Sequence, residues 1–176
     1  FNSSAITIAN NATLNSTAAF TMSANRGITL GAGGGAVNVN TGTALFWGGY
    51  FSGGTSFTKL GVGDLILTNT ATNSVPGTTN VNAGRLFFDS QNALGTGPVN
   101  VNNGGTLDYR IGGALSLANN VTIASGGNIA SRPATLTVPT ATLPTTGTLI
   151  VNQDDQNTST VVFPQNLALT GPLTIQ

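Results

Sequence analysis

The chain reads as an all-β protein, a single-stranded parallel β-solenoid running through one domain, residues 1–176. Three observations lead there. A short apolar-x-apolar motif recurs along the sequence, Gly and Asn punctuate it, and no stretch of a dozen residues carries the 3.6-residue apolar period of a helix. Glu is absent and Lys and Arg are scarce, so the good helix formers are nearly missing and helix content should be close to nil.

The repeat is clearest in four places. Ile6-Thr7-Ile8 leads to Leu14, Val37-Asn38-Val39 to Leu45, Val99-Asn100-Val101 to Leu107, and Val121-Thr122-Ile123 to Ile129, each with the same eight-residue offset. A fifth copy, Thr79-Asn80-Val81 followed by Leu86, is one residue shorter, because Ala83-Gly84 stands where the later copy has Asn103-Gly104-Gly105. Alternate side chains of a strand share one face, and Gly or Asn supplies the positive-φ corner that ends it. Each unit is therefore strand, tight turn, strand. Ile28-Thr29-Leu30, Leu65-Ile66-Leu67, Leu136-Thr137-Val138, Leu149-Ile150-Val151 and Leu173-Thr174-Ile175 carry the alternation to the end of the sequence.

Units starting at 79, 99 and 121 are spaced like the coils of a three-sided parallel β-helix, which predicts about eight coils of roughly 20–22 residues. At roughly 4.8 Å per coil the rod would be about 40 Å long. Val, Ile, Leu and Phe would point inward and Thr and Asn outward, with Asn at equivalent corners forming hydrogen-bonded ladders. An antiparallel sandwich or jelly roll would read similarly in any one window; the near-constant period favours the solenoid.

Only 6% of the residues are charged, five Lys or Arg against five Asp. Arg26, Lys59, Arg85, Arg110 and Arg132 are scattered singly, which argues against nucleic acid as a partner. Without Cys, the chain has no disulfide scaffold, thiolate metal site or cysteine nucleophile. No apolar run approaches the roughly 20 residues that span a bilayer, so membrane insertion of this segment is not expected. The N-terminus Phe1-Asn2-Ser3 does not open a signal peptide; the expectation is processed material or a piece excised from something longer.

Residues 57–108 resemble the autotransporter-associated β-strand repeat, also called the passenger-associated transport repeat, of secreted bacterial β-helical passengers. The resemblance rests on Lys59, Gly61-Val62-Gly63, Leu65-Ile66-Leu67, Gly77-Thr78-Thr79, Val81-Asn82-Ala83-Gly84-Arg85-Leu86 and Ala93-Leu94-Gly95-Thr96-Gly97, in that order. Pro76 replaces the first Gly of the family's Gly-Gly-Thr-Thr segment, altering one loop. The resemblance implies a right-handed β-helix, secretion to the bacterial surface or beyond, and a repeat that assists export and folding. It implies no reaction.

The candidate chemistry is thin. With no His, Cys or Glu, the acids are Asp64, Asp89, Asp108, Asp154 and Asp155, and neither an enzyme nor a bound cofactor is expected. Coil periodicity could align Asp89 with Asp108 as a glycosidase-like pair, but both read better as solvated corners. Asp154-Asp155 offers oxygen ligands without the spacing of a Ca²⁺ loop, so no metal site is assigned. Gly31-Ala32-Gly33-Gly34-Gly35 lacks the Lys and helix of a phosphate loop and reads as a turn.

Phe46, Trp47, Tyr50 and Phe51 bring four of the eleven aromatics together. They cannot all point inward along one strand, so a contact patch for a protein, or less favourably a carbohydrate, competes evenly with core packing. Two functions of different kind follow. Ile6 and Ile8 at one end and Leu173 and Ile175 at the other are candidate stacking strands of a subunit that joins head to tail into a surface filament or matrix fibre. The alternative is a segment of an autotransporter passenger acting as a surface adhesin.

Overall fold

Val37-Asn38-Val39 and Val99-Asn100-Val101 become what their alternation dictates, strands whose valines are fully buried and whose asparagines face outward, half-exposed. The computed structural model describes residues 2–70, 73, 75, 77–132, 134–153, 159–164 and 171–175. Their strands wind into a β-solenoid of about seven turns, with nearly no helix. Its strands pair in parallel, each with the strand one coil earlier and one coil later.

A seven-stranded sheet runs from Thr13–Ser16 to Ala141–Thr142, and an eight-stranded sheet from Phe20–Met22 to Leu173–Ile175. A third side carries Asn2–Ile8, Arg26–Leu30 and Phe51–Gly53, then, in later coils, Gly113–Ser116, Ala134–Thr137 and Thr160–Val162. Coil length varies. Leu65 sits opposite Leu45, 20 residues on, whereas Ile175 sits opposite Leu149, 26 residues on. The longer coils are why the turns number about seven where an even period gives about eight.

One copy of the motif belongs to another corner. Val37–Leu45, Val99–Leu107 and Val121–Ile129 join the seven-stranded to the eight-stranded sheet, but Ile6-Thr7-Ile8 lies on the third side, paired with Ile28, Thr29 and Leu30. Leu14, its supposed second strand, is the register partner of Val37. Both corners need an apolar strand on each side of a tight turn, so the same local pattern serves both.

Stacking places like on like in the interior. Leu45, Leu65, Leu86, Leu107 and Ile129 form one column, all fully buried, and Trp47, Leu67, Phe88 and Tyr109 form the next. No coil can bury its own apolar residues; each is covered by its neighbours, giving one continuous core. The corners demand glycine at particular points. Gly84 has φ +62°, and a Cβ on Gly77 would come 1.5 Å from the Thr55 carbonyl oxygen of the coil before.

The third side is interrupted in the middle coils, where the 3₁₀ turn Gln91–Leu94 stands in place of a strand. There, buried asparagines add side-chain hydrogen bonds to backbone ones such as that from the Asn73 amide to the Asn92 carbonyl. Asn73 accepts from the Phe51 amide at 2.8 Å and donates to the Ala93 carbonyl, linking three coils. Asn119 donates to the carbonyls of Gly95 and Gly97 at 3.1 and 2.7 Å.

Because the Leu107 column is closed above and below, Leu107→Ala should cost about 2–5 kcal/mol. Thr106→Ala, at the adjacent outward position, should stay within about 0.5 kcal/mol. Urea denaturation of the two variants beside the parent measures both.

Candidate functional site

The aromatic segment divides at Gly48-Gly49. Strand alternation sends Leu45 and Trp47 inward and leaves Phe46 half-buried; the corner then turns the chain so that Phe51, on the third side, also points inward. Trp47 is fully enclosed and Phe51 is 1% exposed, with their rings 5.4 Å apart and Phe51 in turn 4.5 Å from Phe57. Trp47 and Phe51 are thus interior residues, because two inward-facing strands meet at this corner, and only Phe46 and Tyr50 reach solvent in part.

The charged residues, scattered in sequence, are collected in space. Asp64, Arg85, Asp108 and Arg132 lie on or beside the outer face of the eight-stranded sheet, where Arg85 is the register partner of Asp64. Asp108 is fully buried, accepts from Arg132 Nε at 3.0 Å, and has Arg85 Nη1 at 3.7 Å on its other side. Both guanidinium groups also cover the ring of Phe87, at 5.9 and 5.0 Å from its centroid. At the edge of the same sheet Arg110 grips Asp89 bidentately, at 2.9 and 2.6 Å. Asp89 and Asp108 stand in adjacent coils, but the register puts Asp108 opposite Phe87 and each acid is committed to its own arginine.

Burial pushes the Asp108 carboxyl above the usual range, more strongly than Arg132 and Arg85 hold it down. The pairing was legible as opposite charges about one coil apart, Asp64 with Arg85, Asp89 with Arg110 and Asp108 with Arg132. Reading the cations singly misses it.

Lys59 occupies an inward position between Val37 and Val81, with no exposed surface. Its ammonium escapes the core by turning into the corner, where Nζ donates to the carbonyls of Leu60 at 2.9 Å, Gly61 at 2.6 Å and, in the next coil, Ala83 at 3.1 Å. Desolvation lowers its pKa to about 8 against the opposing pull of Asp64.

The remaining candidates are placed as follows. Gly31 and Gly34 close a turn through a 2.8 Å bond from the Gly34 amide to the Gly31 carbonyl. Ile6 is half-buried and Ile8 buried in the strand that begins its sheet. Leu173 and Ile175 lie in the strand that ends the eight-stranded sheet, opposite Gly147 and Leu149. Asp154 and Asp155 lie outside the described residues.

Comparison with known proteins gives one relative to report. The chain is 37% identical over 103 residues to the adhesin BmaC autotransporter of Brucella suis biovar 1 (strain 1330), an alignment covering 58% of this chain and 3% of that protein. The chain therefore spans only a small fraction of its curated relative's length. No family model matches it, and no solved structure matches it.

Two variants report on the buried charges. Between pH 8 and 10.5 the unfolded chain holds the Lys59 proton and the folded chain has released it, so stability rises with pH across that window. The parent should gain up to about 3 kcal/mol relative to Lys59→Met over this range. Tyr109, whose pKa burial raises, titrates in the opposite sense but is common to both proteins and cancels. For Asp108 the folded state binds the proton more readily, so its contribution is present below the unfolded pKa of 3.8 and lost as pH rises through the folded value. Asp108→Asn should lie within about 1 kcal/mol of the parent at neutral pH, because Arg85 and Arg132 can rehydrate, and the parent should gain on the variant on acidification. Denaturant titrations across pH check both.

Proposed function

We propose that this chain is a rod-like segment of a surface-displayed or secreted bacterial adhesin of the autotransporter kind, acting without catalysis. The observation that carries the reading is the 37% identity to an autotransporter adhesin in a chain that folds as a continuous β-solenoid. A solenoid suits that task physically. Each coil adds roughly 4.8 Å of length, contacts only its neighbours, and can be added to without redesigning the core.

The charge inventory supports a display role over a chemical one. Asp89 and Asp108 are held by arginines and Lys59 by backbone carbonyls, so these two acids and the lysine serve stacking rather than presenting a free proton-transfer group. Head-to-tail filament assembly, with Ile6, Ile8, Leu173 and Ile175 at the joints, is the second reading. In a polypeptide as long as the relative, those same strand edges would be covered by further coils of one chain, which requires no partner molecule.

Antibodies raised against the purified chain should label intact cells of the bacterium that makes it, and should reduce adherence of those cells to host matrix or to one another. Immunoblots should place the epitope on a polypeptide much longer than 176 residues. Labelling only after lysis overturns the reading, and a 176-residue antigen running in continuous fibres favours the filament.

A further inference from the structure

The outer face of the seven-stranded sheet differs from that of the eight-stranded sheet, which carries the paired charges. Among the described residues it carries no charge at its outward positions: Lys59 points inward, Arg26 lies on the third side, and Asp64, Arg85, Asp89, Asp108, Arg110 and Arg132 belong to the eight-stranded sheet and its edge. It carries no outward aromatic ring either; Phe57, the aromatic residue of these strands, is buried. What it presents is a column running along the rod axis through Thr13, Thr58, Asn80, Asn100, Thr122 and Thr142, with Ala36 interrupting it once.

Within it and beside it the amides form ladders. Asn100 Nδ2 donates to Asn80 Oδ1 at 3.1 Å, and Asn102 Nδ2 to Asn82 Oδ1 at 2.7 Å. A carboxamide has two donors and an acceptor with two lone pairs, so each ladder bond fixes the amide's orientation and uses only part of its hydrogen-bonding capacity. Near the N-terminal end the face dips into a shallow depression of about 200 Å³ lined by Asn11, Thr13, Ala36, Ser56, Thr58 and Leu60.

We infer that this face binds an uncharged polysaccharide lying along the rod. The chemistry selects that occupant. Polyanions such as nucleic acid or sulfated glycan need cationic side chains, which the face lacks. Tight protein contacts are enriched in aromatic and arginine anchors at their centre, and the described residues of this face present none outward. A neutral, hydroxyl-rich polymer needs alternating donors and acceptors and no ions, repeated along a line. The column supplies them at each coil, about 4.8 Å apart. Each hydroxyl–amide contact contributes little by itself, so useful affinity comes from adding contacts along the polymer.

The inference rests on the adhesin reading for its purpose but not for its test. The purified chain is titrated calorimetrically with short and long neutral β-linked hexose oligomers and with heparin, at low and high salt. Affinity should climb with oligomer length, be indifferent to salt, and be absent for heparin. The double variant Asn80→Ala/Asn100→Ala should weaken binding by about tenfold or more. Ser116→Ala, exposed on the third side, should leave binding unchanged, with circular dichroism and melting confirming that both variants fold. No retention of neutral oligomers, salt-sensitive binding to heparin in their place, or unaltered binding by the double variant overturns the inference. If cells displaying the chain still adhere while the purified chain ignores neutral glycans, only this inference fails; if glycan binding holds but intact cells are not labelled, only the adhesin reading does.

Discussion

Parallel in-register stacking governs this molecule: every side chain in a strand lies about one inter-strand spacing from its counterpart in the coils before and after. Whatever a position holds is therefore tested against its own kind. Leucine on leucine is favourable, and the column from Leu45 to Ile129 is the outcome. Asparagine on asparagine is favourable because the amide is donor and acceptor at once, as in the Asn80–Asn100 and Asn82–Asn102 ladders. Charge on like charge is not, since cross-strand neighbours of one sign destabilise a sheet. The low charge content follows from this constraint, and so does the way the few charges are arranged: Asp64 beside Arg85, Arg85 and Arg132 flanking Asp108, Arg110 on Asp89.

Lys59 shows how an exception is accommodated. Its strand position is interior, between two valines, yet its stem is long enough to carry the ammonium into the corner, where three carbonyls from two coils receive it. Arrangement and cost coexist, because the lowered pKa states that the protein still prefers the neutral amine more than water does. A comparable substitution of one interaction for another occurs where the third side lacks strands. There Asn73 and Asn119 bond the Phe51 amide and the carbonyls of Ala93, Gly95 and Gly97, buried polar side chains that would be costly anywhere they lacked such partners.

Much of this was legible in the sequence, for a physical reason. A solenoid is nearly one-dimensional, so local alternation and a short period carry most of the architecture. Val37, Val99 and Val121 announce their strands, and Ala93-Leu94-Gly95 its turn, without any long-range knowledge. What the sequence withheld depends on which corner a unit turns. Ile6-Thr7-Ile8 shares its pattern with Val37-Asn38-Val39 but sits on another side, and Trp47 and Phe51 look too close together for both to be interior until the Gly48-Gly49 corner is known. The arginine–aspartate pairs were hidden differently. Each partner is unremarkable alone, and the signal lies in opposite signs separated by one coil, which can be sought only after the coil length is fixed.

The same stacking rule bears on how such a rod could recognise anything. A site composed of one unusual residue is hard to place on a face where every residue must tolerate its neighbours above and below. Recognition compatible with stacking is repetitive, built from groups that stack well and still have bonding capacity to spare. Threonine and asparagine meet both conditions, and charged residues meet them only in neutralising pairs. On this molecule the two solutions occupy different sheets, the paired charges over Phe87 on the eight-stranded sheet and the uncharged ladders on the seven-stranded one. The paired charges are turned toward each other and Asp108 is buried among them, whereas the ladders stand at the surface, so the plainer face is the one that offers its polar groups to a ligand.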